Sequence, residues 1–258
     1  MKALSVNKFE ESINEDAVIA NENFIAVSDG AGGGGLFADK WSRYLVEHLP
    51  DEPIADYQTF DKWIDGIWEP FYYECERKAQ AEGGILLNKF YEEGSFATLA
   101  AVWNTGQWIS YGDSVVFCYD KATQVLQHSF GKIIDFNQPP YLINCKDQTV
   151  EAGLKVGRFM MNSESLTFVT TDALAHYILM MYEVAHKDLF ECELKEAVEA
   201  QTKCSNYISL AMKLSQIDFE KDVLLKIINS NSGNLKRHLK NRLERGLIGL
   251  DDYSIAIM

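Results

Sequence analysis

Acidic side chains recur where apolar runs stop. Asp29 closes Phe24-Ile-Ala-Val-Ser28 and is followed by the glycine run Gly30-Ala-Gly-Gly-Gly-Gly35. Asp172 closes Leu166-Thr-Phe-Val-Thr-Thr171, and Asp251 and Asp252 stand directly before Tyr253-Ser-Ile-Ala-Ile-Met258. Glu15 and Asp16 precede Ala17-Val-Ile-Ala20, and Asp113 sits in Tyr111-Gly-Asp-Ser114 between two β-rich runs. Taken singly, an Asp in such a place is a turn former. Taken together, these carboxylates are the ligands that hard cations such as Mg²⁺ or Mn²⁺ require. Two cations sharing a carboxylate can hold a water between them, lower its pKa and direct it in line at phosphorus.

The elements that must position these acids follow from period and breakers. Ala17 to Ala20 and Phe24 to Ser28 read as strands, joined by the hairpin turn Asn21-Glu22-Asn23. Leu36 to Leu49 reads as a helix stopped by Pro50. Tyr57 to Ala81 reads as a longer helix, kinked at Pro70 and ended by Gly83-Gly84. Ala97 to Trp103, Trp108 to Tyr111, Val115 to Tyr119, Val125 to Phe130, Leu154 to Met161 and Leu166 to Thr171 are β-rich. Ala173 to Tyr182, Leu189 to Lys203, Asp222 to Asn229 and Leu235 to Arg245 carry apolar residues at helical spacing. Tyr253 to Met258 alternates as a closing strand. Strand runs segregated from helix runs indicate α+β. A last strand that must return to a distant sheet implies one domain over 1–258.

The chain has 258 residues, 24 Lys plus Arg against 38 Asp plus Glu, and a formal net charge of −14. That excess argues against a nucleic-acid partner, whose phosphates need clustered Lys and Arg. No apolar run reaches the ~18 residues of a membrane span, so no membrane association is expected. The five cysteines form no C-x-x-C pair and read as buried reduced thiols, which points to a cytoplasmic protein. The His residues show no metal-ligand spacing. The Trp residues read as core or interface aromatics. The basic stretch Asn234 to Arg245 reads as a solvated helix face or, more specifically, a dock for an acidic partner.

The ordered set Asn14-Glu-Asp16, Val27-Ser-Asp-Gly-Ala-Gly-Gly33, Gly94-Ser-Phe-Ala-Thr98, Gly112-Asp-Ser114, Thr170-Thr-Asp-Ala173 and Asp251-Asp-Tyr-Ser254 resembles the motif series of the PP2C-type (PPM) metal-dependent Ser/Thr protein phosphatases. The resemblance spans residues 14 to 257. It implies a four-layer α/β/β/α sandwich of two antiparallel sheets flanked by helices, with two Mg²⁺ or Mn²⁺ ions at one end. It implies hydrolysis of phosphoserine or phosphothreonine on a phosphoprotein substrate by a metal-bridging hydroxide. Asp29 would bridge the ions, with the Gly30 carbonyl on one of them. Asp172 and Asp251 would ligate the second ion. Glu15 and Asp16 would orient bound waters, and Asp113 resembles the residue that helps hold a third, weaker ion in bacterial members. Gly94 to Thr98 would be a structural strand start.

Several positions depart from that pattern. Glu11 stands where many members carry an Arg that clamps the substrate phosphate. Lys8 and Arg43 are the candidate replacements, although Lys is a point charge and not a fork. Thr170-Thr171-Asp172-Ala173 replaces Ser-Asp-Gly, and Asp252 replaces an Asn. Residues 131–156 have no counterpart and read as a divergent flap. These departures support a second reading, a PP2C-like pseudophosphatase or regulatory binding module. A third reading takes Gly30 to Gly35, with Asp51 and Glu52, as a dinucleotide fingerprint. It ranks lower, because Asp29 would repel a diphosphate and no prompt parallel strand follows.

Overall fold

A computed structural model describes residues 1–8, 12–33 and 35–258; Glu11 lies outside the described residues. The strands are β1 (Lys2–Val6), β2 (Ala17–Ala20), β3 (Phe24–Ser28), β4 (Phe96–Ala97), β5 (Leu99–Trp103), β6 (Gln107–Tyr111), β7 (Val115–Asp120), β8 (Val125–His128), β9 (Ile143–Asn144), β10 (Leu154–Arg158), β11 (Ser165–Thr170) and β12 (Tyr253–Ile257). The helices are α1 (Ala38–Glu47), α2 (Tyr57–Glu82), α3 (Gly84–Glu93), α4 (Asp172–Ala185), α5 (Glu191–Glu199), α6 (Lys203–Ala211), α7 (Leu225–Ile228) and α8 (Ser232–Glu244). One sheet runs β1-β12-β11-β7-β8 and the other β10-β6-β5-β3-β2. Every strand pairing in them is antiparallel.

Strand alternation builds the layers. In β3, Phe24 and Ala26 face a core shared with α1 and α2, whereas Ile25 and Val27 face the other sheet. In β7, Val115, Phe117 and Tyr119 join the core under α4 to α8, whereas Val116 and Cys118 point between the sheets. The layer between the sheets is built mostly of small and medium side chains, including Ala100, Val102, Val169 and Ala256. Strands buried on both faces read as unbroken apolar runs. The result is the expected α+β sandwich: helices, sheet, sheet, helices.

Strand register carries the acids to one rim. Ala17 pairs with Ser28, so Asp16 and Asp29 flank the same end of the β2–β3 hairpin. Thr170 pairs with both Val115 and Ile255, which sets Asp172, Asp113 and Asp251 at the corresponding end of the second sheet. Asp113 lies on the link by which the chain leaves β6 in one sheet for β7 in the other.

The structure adds elements that the pattern reading does not contain. Lys2–Val6 is an edge strand paired with β12. Gly83, at φ 121°, ends α2, but Gly84 opens a new helix and not a loop. α2 continues through Pro70 without a break in its assigned length. The helix expected over Leu189 to Lys203 spans Glu191–Glu199, and Gln201, at φ 55°, separates it from α6, which opens at Lys203 and runs to Ala211. The helix expected over Asp222 to Asn229 begins as a π-helical turn, Phe219–Leu224. Cys75, Cys118 and Cys145 are buried, but Cys192 is exposed, so the uniform burial expected of the thiols does not hold. No described helix is long and apolar enough to cross a membrane.

Candidate metal centre

Asp29 leaves β3 with its backbone clamped by Thr98. Its N–H donates to Thr98 Oγ1 at 3.3 Å, and its carbonyl accepts the Thr98 N–H at 2.8 Å. The Thr98 hydroxyl also lies 2.7 Å from Ser114 Oγ, next to Asp113. Thr98 therefore pins the Asp29 and Asp113 turns together. Gly30 donates its N–H to the Glu15 carbonyl at 3.1 Å. A Cβ there would sit 2.6 Å from the Ala38 carbonyl oxygen and 2.7 Å from that of Glu15, so only glycine fits.

Asp16 is only 4% exposed. Its Oδ2 accepts the Thr171 hydroxyl at 2.9 Å, and Thr171 Oγ1 accepts the Ser254 N–H at 3.0 Å. Asp252 is equally buried at 4%. Its two carboxylate oxygens accept the backbone N–H groups of Lys8, at 2.7 Å, and Glu15, at 3.0 Å. Asp252 thus ties the segment before β2 to the start of β12. Asp172 is not merely the end of a strand. It is the first residue of α4, where the helix dipole favours a negative charge, and its Oδ1 accepts the Ala173 N–H.

The acids feel one another across these elements. Burial, then repulsion from Asp16, Asp172, Asp113 and Asp251, drives the Asp29 carboxyl well above its usual range. Burial and the charge of Asp172 do the same to Asp16, against the Thr171 hydrogen bond. Asp113 rises to about 7 through burial and the charges of Asp172 and Asp251. Asp172 rises to about 6 through burial and Asp251. The Ala173 N–H and the charge of Lys203 partly oppose that rise in Asp172. Asp251 is raised by burial against its hydrogen bond to the Asp252 N–H.

Cations are few around this rim. Lys8 Nζ lies 3.1 Å from Glu15 Oε2 and 3.8 Å from Asp252 Oδ2, so its charge is engaged locally. Arg43 on α1 lines a groove with Ser5, Asn14, Asp16 and Glu47. Lys203, which the motif reading missed, lowers the pKa of both Asp172 and Asp251. It lines a cleft of about 380 Å³ with Asp172, Asp251, His176 and Tyr207. No sequence signal marks it, because α6 carries no motif. Phe136 and Asn137, from the segment expected to be a flap, border this cleft. Further along the segment, β9 pairs with β4, and the Trp41 indole donates to the Ile143 carbonyl at 2.9 Å.

The donor set fits a divalent cation chemically. Hard oxygen donors, several desolvated and mutually repelling, gain most from a positive ion. Among the described residues, however, no group of three or more His, Cys, Asp or Glu side chains stands assembled to hold an ion. The carboxyls lie near enough to repel one another, and a bound cation would relieve that repulsion.

The dinucleotide reading fails on the fold. The strand before the glycine run lies in a wholly antiparallel sheet, and α1 leads to no parallel partner.

No protein-family model matches the chain, and no curated protein sequence matches it. Solved structures do. The catalytic domain of the serine/threonine protein phosphatase PstP, in complex with two manganese ions, aligns at TM-score 0.54 and 14% identity, over 99% of this chain and 95% of that one. Stp1 from Staphylococcus aureus aligns at TM-score 0.51 and 12% identity, over 99% and 92%. The PPM phosphatase MsPP from Mycobacterium smegmatis, in complex with cacodylate, aligns at TM-score 0.51 and 12% identity, over 99% and 96%. The fold is therefore that of the PP2C-type (PPM) serine/threonine phosphatases, as the motif series implied.

Proposed function

We propose that this protein is a metal-dependent phosphoprotein phosphatase acting on phosphoserine or phosphothreonine. The observation that carries the reading is the electrostatic convergence of Asp29, Asp113, Asp172 and Asp251 from distant parts of the sequence onto one rim of a PPM fold. Asp29, Asp172, Asp251 and the Gly30 carbonyl would hold two Mn²⁺ or Mg²⁺ ions, with Asp113 at a third. Bound there, the ions supply Lewis acidity for the attack of water on phosphorus. Asp16, fixed by Thr171, and Glu15, held through its backbone by Asp252, would accept hydrogen bonds from water at the rim. The PstP and MsPP structures support this by their folds, and PstP also by its two manganese ions.

The purified protein should hydrolyse p-nitrophenyl phosphate with Mn²⁺ and lose that activity in EDTA. Calorimetry should detect Mn²⁺ binding to the wild type and a large loss of affinity in Asp29→Asn and Asp172→Asn. Activity that persists in both variants and in EDTA would overturn the mechanism. The pseudophosphatase reading is favoured by one specific observation, the engagement of Lys8 with Glu15 and Asp252. It predicts Mn²⁺ binding without turnover on any phosphopeptide.

A further inference from the structure

The PPM-like chemistry needs a cation for the substrate phosphate, and the rim offers three. Lys8 is paired with Glu15 and close to Asp252. Arg43 lines a groove that includes neither Asp29, Asp172 nor Asp251. Lys203 is different on both counts. It lines the cleft that includes Asp172 and Asp251, and its ammonium has no ion-pair partner within 4.0 Å among the described residues.

The cleft wall is also polar without a protein partner. His176 lies one helical turn after Asp172 on α4 and is 5% exposed, yet its Nε2 has no hydrogen-bond partner. Its ring stands edge-on to Phe136 at 5.2 Å and to Tyr207 at 6.0 Å, which fixes it in the wall. His176 therefore brings a buried imidazole, with no charged protein partner, to the same wall as Lys203. Lys203 opens α6, so the positive end of that helix adds to its charge. Asp172 and Asp251 would be engaged by cations held there, which would leave the Lys203 ammonium free to meet a phosphate.

We propose that Lys203 receives the substrate phosphate in the cleft beside Asp172 and Asp251, supplying from α6 the cation that Glu11 does not supply. This inference rests on the phosphatase reading. Lys203 acts by binding and touches a non-bridging phosphate oxygen; it takes no part in proton transfer. A charge-assisted hydrogen bond of this kind is worth about tenfold or more in affinity.

The test uses the full chain loaded with Mn²⁺ and inorganic phosphate as the probe. Calorimetry first measures Mn²⁺ binding to the wild type, Lys203→Gln and Lys203→Arg, and then phosphate binding to each loaded protein. The expected result is Mn²⁺ affinity kept or strengthened in Lys203→Gln, since a positive charge beside Asp172 and Asp251 is removed, phosphate affinity lowered about tenfold in that variant, and substantial retention of phosphate binding in Lys203→Arg. With p-nitrophenyl phosphate, Lys203→Gln should raise KM about tenfold with little change in kcat. Equal phosphate affinity in wild type and Lys203→Gln, with Mn²⁺ bound normally, overturns this inference and leaves the phosphatase reading standing. Absence of Mn²⁺ binding in the wild type overturns both.

Discussion

The carboxylate of Asp16 accepts a hydrogen bond of 2.9 Å from the Thr171 hydroxyl, joining residues 155 positions apart. Asp16 precedes β2 in one sheet, and Thr171 follows β11 in the other. The bond therefore fixes the two sheets to each other beside the acids. The same hydroxyl accepts the Ser254 N–H at 3.0 Å, so the position requires a hydroxyl, which the serine of the motif series would also supply.

Replacing Thr171 by Val keeps the shape and removes the hydroxyl. The buried Asp16 oxygen and the Ser254 N–H both lose a partner, at a cost of about 2 kcal/mol. Thr171→Ser should cost much less. Urea unfolding of the three proteins measures the difference, and equal midpoints for Val and wild type would refute the role of the pair.

Gly30→Ala places a methyl within 2.6 to 2.7 Å of two backbone carbonyl oxygens, which cannot swing aside as a side chain could. The loop must shift, costing about 2 kcal/mol and displacing the carbonyl proposed to face an ion. Unfolding and Mn²⁺ calorimetry should both register the change. By contrast, Gly33→Ala meets nothing within 4 Å and should be tolerated.

Asp252 holds the Lys8 and Glu15 N–H groups on its two oxygens. Asp252→Ala should cost about 3 kcal/mol, and Asp252→Asn, which keeps one acceptor, roughly half of that. Amide hydrogen exchange at Lys8 and Glu15 should accelerate in Asp252→Ala. Protection unchanged at both amides would show that the segment is held by other contacts.

Glu183 on α4 is 4% exposed, and its Oε2 lacks a partner. Burial, with a contribution from Glu193, lifts its carboxyl to about 8. A carboxyl raised on folding binds more protons in the native state than in the unfolded one, so stability falls as pH rises. The penalty is absent below the unfolded value of about 4.3 and complete above the folded value. Glu183→Gln removes it. The urea midpoint of the wild type should drop from pH 5 to pH 8.5 more steeply than that of Glu183→Gln. Parallel pH profiles would sink the assignment.

The sandwich and its acidic rim were legible because apolar runs and acids alternate along the chain. β3 is buried at every residue and reads as one run, and Asp29 ends it. What escaped depends on contacts between distant segments. Lys2–Val6 is a strand only because β12 lies beside it. Gly83-Gly84 looks like a full stop, yet α3 begins at the second glycine and seats Phe90 in the core. Asp252 and Thr171 act through partners that no spacing rule connects, and Lys203 is visible only once α6 is set against the cleft.

The layer between the sheets has a consequence for the rim. The acids hang from both sheets, and the spacing of those sheets is fixed by Val27, Val102, Val116 and Val169 packed face to face. Trimming one of these valines would let the two slabs creep relative to each other, because close-packed interiors transmit such slack. The aperture between opposing carboxylates is thus calibrated deep inside the molecule, by hydrocarbon shims that never meet an ion.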